Sequence, residues 1–163
     1  MDIFAFLDEH KIDYERVDHP AVYTVAEALE KVPHLDGAET KNLFVRTRKA
    51  DRHFLVVVDY NKSVDLKALG KVLEVKRLSF GSPKRLMTYL GIEPGAVSLL
   101  AILNDTDGAV EVVVDQAVWD AERIKCHPLV NTSTLSIAQS EVKRIFEISN
   151  HPVTVIDVPE RKR

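Results

Sequence analysis

The continuous apolar run from Phe54 to Val58 constrains the fold of this chain more than any other segment. Because five consecutive apolar residues leave no polar face, the run predicts a strand that is buried on both sides. The segment from Thr40 to Thr47 also reads as a strand, and the polar residues 48–53 form a turn between the two. We therefore expect a hairpin here.

Helical and extended patterns alternate along the rest of the chain. Asp2, Asp65 and Ser82 are good helix caps, and Gly91 is a good helix end. Helices are predicted over 2–10, 24–31, 65–73, 82–90, 116–121 and 140–148. Strands are predicted over 14–18, 76–80, 99–103, 109–115, 132–137 and 153–158. The turn-forming residues 104–108 are expected to connect the strands 99–103 and 109–115.

Because several strands meet through short turns, antiparallel pairing is favoured. Interleaved helices and strands then predict an α+β fold with a mixed, mostly antiparallel sheet and surrounding helices. A length of 163 residues with 45% apolar content suits one domain over residues 1–163.

Composition excludes several classes of protein. The chain has no run near the ~18–20 apolar residues of a membrane helix, and its first residues do not predict a secretory signal. Its one cysteine cannot form an internal disulfide, which agrees with a cytoplasmic protein. The histidines lack metal-ligand spacing, and no GxSxG, P-loop or GxGxxG motif occurs. No metal or cofactor is therefore expected.

The charge pattern bears on nucleic-acid binding. A net charge of −3 argues against indiscriminate binding, but it leaves room for a local basic face. Two basic clusters are present, which are either such a face or simply solvated surface. They comprise Lys41, Arg46, Arg48, Lys49 and Arg52, and Lys62, Lys67, Lys71, Lys76 and Arg77.

Two segments carry candidate site residues. Residues 126–135 combine His127 with Asn131, Thr132 and further hydroxyls, which indicates either a small polar pocket or a turn before a Thr-rich strand. Residues 91–98 form a loop of small residues, which either lets backbone N–H groups approach a ligand or is only a connection. Cys126 and His127 are poorly placed as a thiol–base pair, because neighbours on an extended segment point to opposite faces.

Several short motifs, taken in order, carry a resemblance to a known family. They are HPAVYTV at 19–25, TKNLF at 40–44, LSFG at 78–81, LGIEPGAVS at 90–98, ND at 104–105, and HP at 127–128 followed by Asn131. Together they resemble the YbaK/prolyl-tRNA synthetase-associated editing domain family, in particular the free-standing PrdX or ProXp-ala branch. The resemblance covers nearly the whole chain and implies a partly barrel-like sheet.

The resemblance implies a trans-editing hydrolase that deacylates alanyl-tRNA(Pro), with no metal and no covalent intermediate. It implies that Lys41 lies near the phosphates of the acceptor end, that Asn42 helps to hold the terminal nucleotide, and that His127 orients the aminoacyl group or ribose. Asn131 and Thr132 are weaker candidates for the pocket lining.

The resemblance also implies a role for the loop Gly95, Ala96, Val97 and Ser98, whose amides would stabilise the carbonyl oxygen as charge develops. Leu99 stands where the family often has proline, which affects the shape of the loop. The expected partners are the tRNA(Pro) acceptor end carrying a small amino acid and transiently prolyl-tRNA synthetase, with no membrane and no DNA. Two alternatives stay open: another substrate such as cysteinyl-tRNA(Pro), or a non-catalytic RNA-binding module.

Overall fold

A computed structural model describes residues 2–21, 27, 30 and 33–161. The described helices are α1 (Ile3–Glu9), α2 (Leu66–Val72), α3 (Pro83–Leu90), α4 (Gln116–Trp119) and α5 (Gln139–Ile148). Two 3-10 helices span Pro94–Ala96 and Leu99–Asn104. The strands are β1 (Glu15–Asp18), β2 (Thr40–Arg46), β3 (His53–Asp59), β4 (Ser79–Phe80), β5 (Val110–Asp115), β6 (Arg123–Cys126), β7 (Ser133–Ala138) and β8 (Val153–Ile156).

The larger sheet is built around the predicted hairpin. Its strand order is β4-β2-β3-β5-β8, and β2 and β3 pair in antiparallel register from Thr40 opposite Asp59 to Arg46 opposite His53. β3 is buried from His53 to Val58, which confirms the prediction of a strand covered on both faces. Apolar clusters lie on either side of it, one of them under α2 and the other containing the 3-10 helix Leu99–Asn104.

The smaller sheet has the order β1-β7-β6, and both of its pairings are antiparallel. A parallel bridge between Ala38 and Ile124 joins its β6 edge to the segment that enters β2. Four of the six pairings between described strands are antiparallel, so the predicted mixed, mostly antiparallel α+β fold is confirmed. Neither sheet of the described chain closes on itself. The predicted partly barrel-like arrangement is therefore limited to the Ala38–Ile124 bridge, where the two sheets meet.

Local chemistry set several boundaries as predicted. The side chains of Asp2, Asp65 and Ser82 accept hydrogen bonds from Ala5, Ala68 and Arg85 N–H, and so cap α1, α2 and α3. Gly91 ends α3 in the left-handed conformation, with φ 66°. The helix predicted over 24–31 lies outside the described residues, apart from Glu27 and Glu30.

Three predictions were wrong. Residues 99–103 are buried and belong to the 3-10 helix Leu99–Asn104. The prediction of a strand failed because a short apolar run has no periodicity that separates a strand from a buried helix. As a result β5 forms no hairpin with that segment and lies parallel to β3 and β8. The strand predicted over 76–80 shrinks to Ser79–Phe80, and β6 was missed although Arg123–Cys126 alternates half-buried and buried residues.

Candidate functional site

The candidate site lies where the two sheets meet. Ala38 N–H donates to the Arg123 carbonyl (2.9 Å), and Lys125 N–H donates to the Ala38 carbonyl (3.1 Å). Thr40 Oγ1 then donates to the Lys125 carbonyl (2.8 Å), a positioning contact that sequence reasoning missed. The two segments run in the same direction here. Asn42 lies two residues after Thr40, and His127 lies two residues after Lys125, so both lie at the same end of the junction.

The loop Pro94–Ser98 packs against His127 through two hydrogen bonds. The imidazole Nε2 lies 3.0 Å from the Val97 carbonyl oxygen, and Ser98 Oγ donates to the His127 carbonyl (2.6 Å). Ser98 is fully buried and its Oγ also accepts from Leu100 N–H (3.3 Å). The structure therefore joins the two predicted segments, and the Ser98 side chain braces the loop.

These contacts define the chemical state of His127. A carbonyl can only accept, so Nε2 carries the proton and Nδ1 of the neutral ring presents a lone pair. Nδ1 is buried and has no hydrogen-bond partner in the described chain. Burial lowers the pKa of His127, and the hydrogen bond to Val97 partly offsets that shift. The ring is thus a neutral hydrogen-bond acceptor at neutral pH.

Asn42 presents a second acceptor of the same kind. Its Oδ1 is buried and lacks a partner within the described residues. Buried polar atoms are normally hydrogen-bonded, so an unpaired one needs a specific reason. Asn42 Oδ1 and His127 Nδ1 are side-chain acceptors of two predicted site residues, and both would be satisfied by a ligand that carries N–H or O–H donors.

Gly95 lies at the open side of the loop. Its φ is not in the positive region, and a Cβ built on it would meet no atom within 4 Å. The described fold would therefore accept a larger residue than glycine at this position. A ligand that approaches the backbone closely would require glycine here. Ala96 N–H donates to the Glu93 carbonyl (2.9 Å), so this amide is already used within the 3-10 turn. The N–H group of Gly95 has no partner among the described residues and remains the candidate for binding an oxyanion.

Lys41 lies beside Asn42 on β2, but strand alternation directs the two side chains to opposite faces. Its ammonium forms no hydrogen bond or ion pair with the described part of the chain. β4 pairs only with Val45 and Arg46, so the Thr40–Leu43 half of β2 is an open edge in the described structure. A lysine at such an edge can extend toward ligand phosphates.

Asn131 and Thr132 lie in the turn that leads into β7. Thr132 is exposed and its carbonyl accepts from His19 N–H (3.0 Å), while Asn131 is half-buried and already has an interaction within the protein. The His19 ring is buried and lies 2.8 Å from Thr134 Oγ1 on β7. These residues therefore flank the His127 segment.

Cys126 and His151 belong to the protein interior. Cys126 is buried, which raises its pKa to about 12 and disfavours a thiolate nucleophile. His151 lies in the connection between α5 and β8 as predicted, with its Nε2 3.0 Å from the buried Asp105 carboxylate.

Among the described residues no group of three His, Cys, Asp or Glu side chains could hold a metal. No helix in the described ranges is long and apolar enough to cross a membrane.

Residues 19–145 match the family model described as aminoacyl-tRNA editing domain. The chain belongs to this family, which confirms the family indicated by its sequence motifs and the predicted class of enzyme, an aminoacyl-tRNA deacylase.

Relatives of similar length support this assignment. The chain is 35% identical to the prolyl-tRNA editing protein ProX of Acetoanaerobium sticklandii, over 96% of this chain and 95% of that protein. It is 32% identical to prolyl-tRNA synthetase associated domain-containing protein 1 of Danio rerio, over 93% and 83%. A solved structure described as a candidate trans-editing enzyme for prolyl tRNA synthetase shares the fold, with a TM-score of 0.66, 16% identity, and coverage of 91% of this chain and 87% of that chain.

Proposed function

We propose that this chain is a trans-editing hydrolase that removes alanine from alanyl-tRNA(Pro). The observation that carries the proposal is the pair of buried acceptors, His127 Nδ1 and Asn42 Oδ1, which have no partner among the described residues, beside a loop with open space at Gly95. The names of the relatives support the prolyl-tRNA system as its setting. Such a reaction belongs in the cytoplasm, where tRNA is charged.

The need for this activity follows from binding energetics. A synthetase pocket shaped for proline cannot strongly exclude alanine, because a few missing methylenes contribute only ~1–3 kcal/mol of discrimination. A second site that is too small for proline can hydrolyse the wrong product. The editing site must therefore contact the amino acid closely, which fits a loop of small residues.

The proposed substrate supplies the donors that the site lacks. The α-ammonium group of the amino acid and the free hydroxyl of the terminal ribose both carry N–H or O–H groups. In our proposal His127 Nδ1 accepts from one of these groups and Asn42 Oδ1 holds the terminal nucleotide. Lys41 supplies a positive charge for a phosphate of the acceptor end.

The reaction is hydrolysis of an ester. A water molecule attacks the carbonyl carbon, and the developing oxyanion is stabilised by the N–H group of Gly95. The bond from the carbonyl carbon to the ribose oxygen then breaks. The proton lost by the attacking water passes, with help from the neighbouring ribose hydroxyl, to the leaving oxygen, giving free alanine and tRNA with an intact terminal hydroxyl.

The test is hydrolysis of alanyl-, prolyl- and cysteinyl-tRNA(Pro) by the wild type and by Lys41→Ala and His127→Ala. Matched controls are Lys143→Ala and His34→Ala, because Lys143 is exposed on α5 and the His34 side chain is 88% exposed. Alanine-selective hydrolysis that only the site variants lose supports the proposal. Selectivity for cysteine would assign another substrate, and binding without any hydrolysis would favour a non-catalytic module.

A further inference from the structure

The structure brings five residues of the two basic sequence clusters together around one surface cavity of about 740 Å³. Five cationic side chains from three separate segments line it, and no acidic residue does. They are Arg46 at the end of β2, Arg48 in the turn that follows it, Lys67 and Lys71 from α2, and Arg77 from the segment before β4. We refer to these five residues as the basic cavity.

In contrast to several other cations of the described chain, the residues of the basic cavity have no neutralising partners. Arg16, Arg52, Lys62, Lys125 and Arg144 each form an ion pair with a carboxylate. None of the five cavity residues forms one within the described chain. The chain has 25 acidic and 22 basic residues, so a shortage of carboxylates does not explain their absence.

The cavity is also a structured surface. Lys67 and Lys71 are four residues apart on α2, so their like charges lie on one face, an arrangement that disfavours the isolated helix. The Arg48 N–H donates to the Lys76 carbonyl (3.3 Å), which ties two walls of the cavity together. Arg46 Nη1 is held by the Thr47 carbonyl (3.2 Å), so its charge is fixed at the rim.

We infer that the basic cavity binds backbone phosphates of the tRNA acceptor arm, away from the terminal adenosine. Lys41 shares its strand face with Val45, which lies four residues further on, ~13 Å along the strand, and packs in the apolar cluster under α2. A nucleic acid whose phosphate is held at Lys41 can therefore extend to the cavity, which α2 helps to line. The inference rests on the proposed function, because it assumes that the substrate is a tRNA.

The test is binding of deacylated tRNA(Pro) as a function of salt concentration. We compare the wild type with the double variant Lys67→Glu/Lys71→Glu and with a control, Lys143→Glu. Lys143 is also an exposed helical lysine without an ion pair in the described structure, but α5 packs on the other apolar cluster. Melting temperatures of the three proteins check that each is folded.

We expect the double variant to bind at least tenfold more weakly at moderate salt. Its plot of log K against log salt should be shallower by about one for each lost phosphate contact. Wild-type affinity in a folded double variant, or equal weakening by Lys143→Glu, would overturn the inference. Because deacylated tRNA is used, tRNA binding without hydrolysis by the wild type would reject the proposed function and leave this inference standing.

Discussion

The His127 ring and the Val97 carbonyl fix each other across 30 residues of sequence, with Nε2 and the oxygen 3.0 Å apart. The bond sets the tautomer of the ring and leaves Nδ1 as a buried acceptor. A second bond, from Ser98 Oγ to the His127 carbonyl, fixes the backbone of the same two segments. The position of the loop and the chemical state of the histidine are therefore coupled.

Replacing His127 should lower activity and change its pH dependence. We expect His127→Gln to lower kcat/KM for alanyl-tRNA(Pro) by about 10- to 100-fold, the value of a hydrogen bond to a charged group. Because burial lowers the pKa of His127, wild-type activity should stay level down to about pH 6.5 and fall only below it. That acidic limb should be absent in His127→Gln. A wild-type decline centred above pH 7 would contradict this assignment.

Replacing Asn42 should separate stability from activity. Its amide oxygen has no partner in the described chain, so Asn42→Ala removes an unsatisfied buried atom and should leave the melting temperature unchanged or higher. Hydrolysis should fall by about tenfold or more. Asn104→Ala is the matched control: its Nδ2 donates to the Leu90 carbonyl (2.8 Å), so stability should fall by about 1 kcal/mol. A large loss of stability in Asn42→Ala would assign this residue a structural role.

Two glycines give a paired test of the loop. A Cβ at Gly95 meets open space, so Gly95→Ala should keep the wild-type melting temperature while hydrolysis falls about tenfold or more as the methyl group obstructs the substrate. Gly91 has φ 66° and a Cβ there would lie 3.2 Å from Asn104 Nδ2. Gly91→Ala should therefore lose roughly 1–2 kcal/mol of stability. Unchanged hydrolysis by Gly95→Ala would remove the loop from the proposed site.

The buried ion pair between Lys62 and Asp115 should be important for stability. Lys62 Nζ lies 3.0 Å from Asp115 Oδ1, and Asp115 is fully buried. Lys62→Met leaves that carboxylate unpaired, and we expect a loss of about 3–5 kcal/mol in urea unfolding. Asp157 also contacts Lys62 (3.3 Å) but its side chain is 92% exposed, so Asp157→Asn should cost at most about 1 kcal/mol. Similar effects of both variants would contradict this distinction.

His53, which is buried, and His127, which is half-buried, predict that stability falls in mild acid. Burial lowers the pKa values of both His53 and His127, and the Arg85 and Arg46 guanidinium groups lower that of His53 further. Below about pH 6.5 the unfolded chain binds protons that the folded chain resists, so the free energy of unfolding falls as pH falls.

We expect a lower melting temperature at pH 5.5 than at pH 7.5, by roughly 2–4 °C for each kcal/mol lost. His53→Gln removes one of these groups and should show a smaller difference between the two pH values. An unchanged or larger difference in that variant would exclude His53 as a source of the effect.

The sequence by itself determined the elements whose chemistry is local. Helix caps at Asp65 and Ser82 and the stop at Gly91 depend on residues within one turn, so their pattern was sufficient. The β2–β3 hairpin follows from two adjacent segments and one polar turn. The family motifs, which include Asn42 and His127, could likewise be identified from the order of residues alone.

Only the tertiary structure decided which of these residues meet. Packing turned the apolar run at Leu99 into a 3-10 helix and placed β5 between two parallel partners. It joined Val97 to His127. It also gathered five residues of the two basic clusters around one cavity. Each of these outcomes depends on contacts between segments far apart in the chain, whose packing energy overrides local preference and has no signature in local sequence.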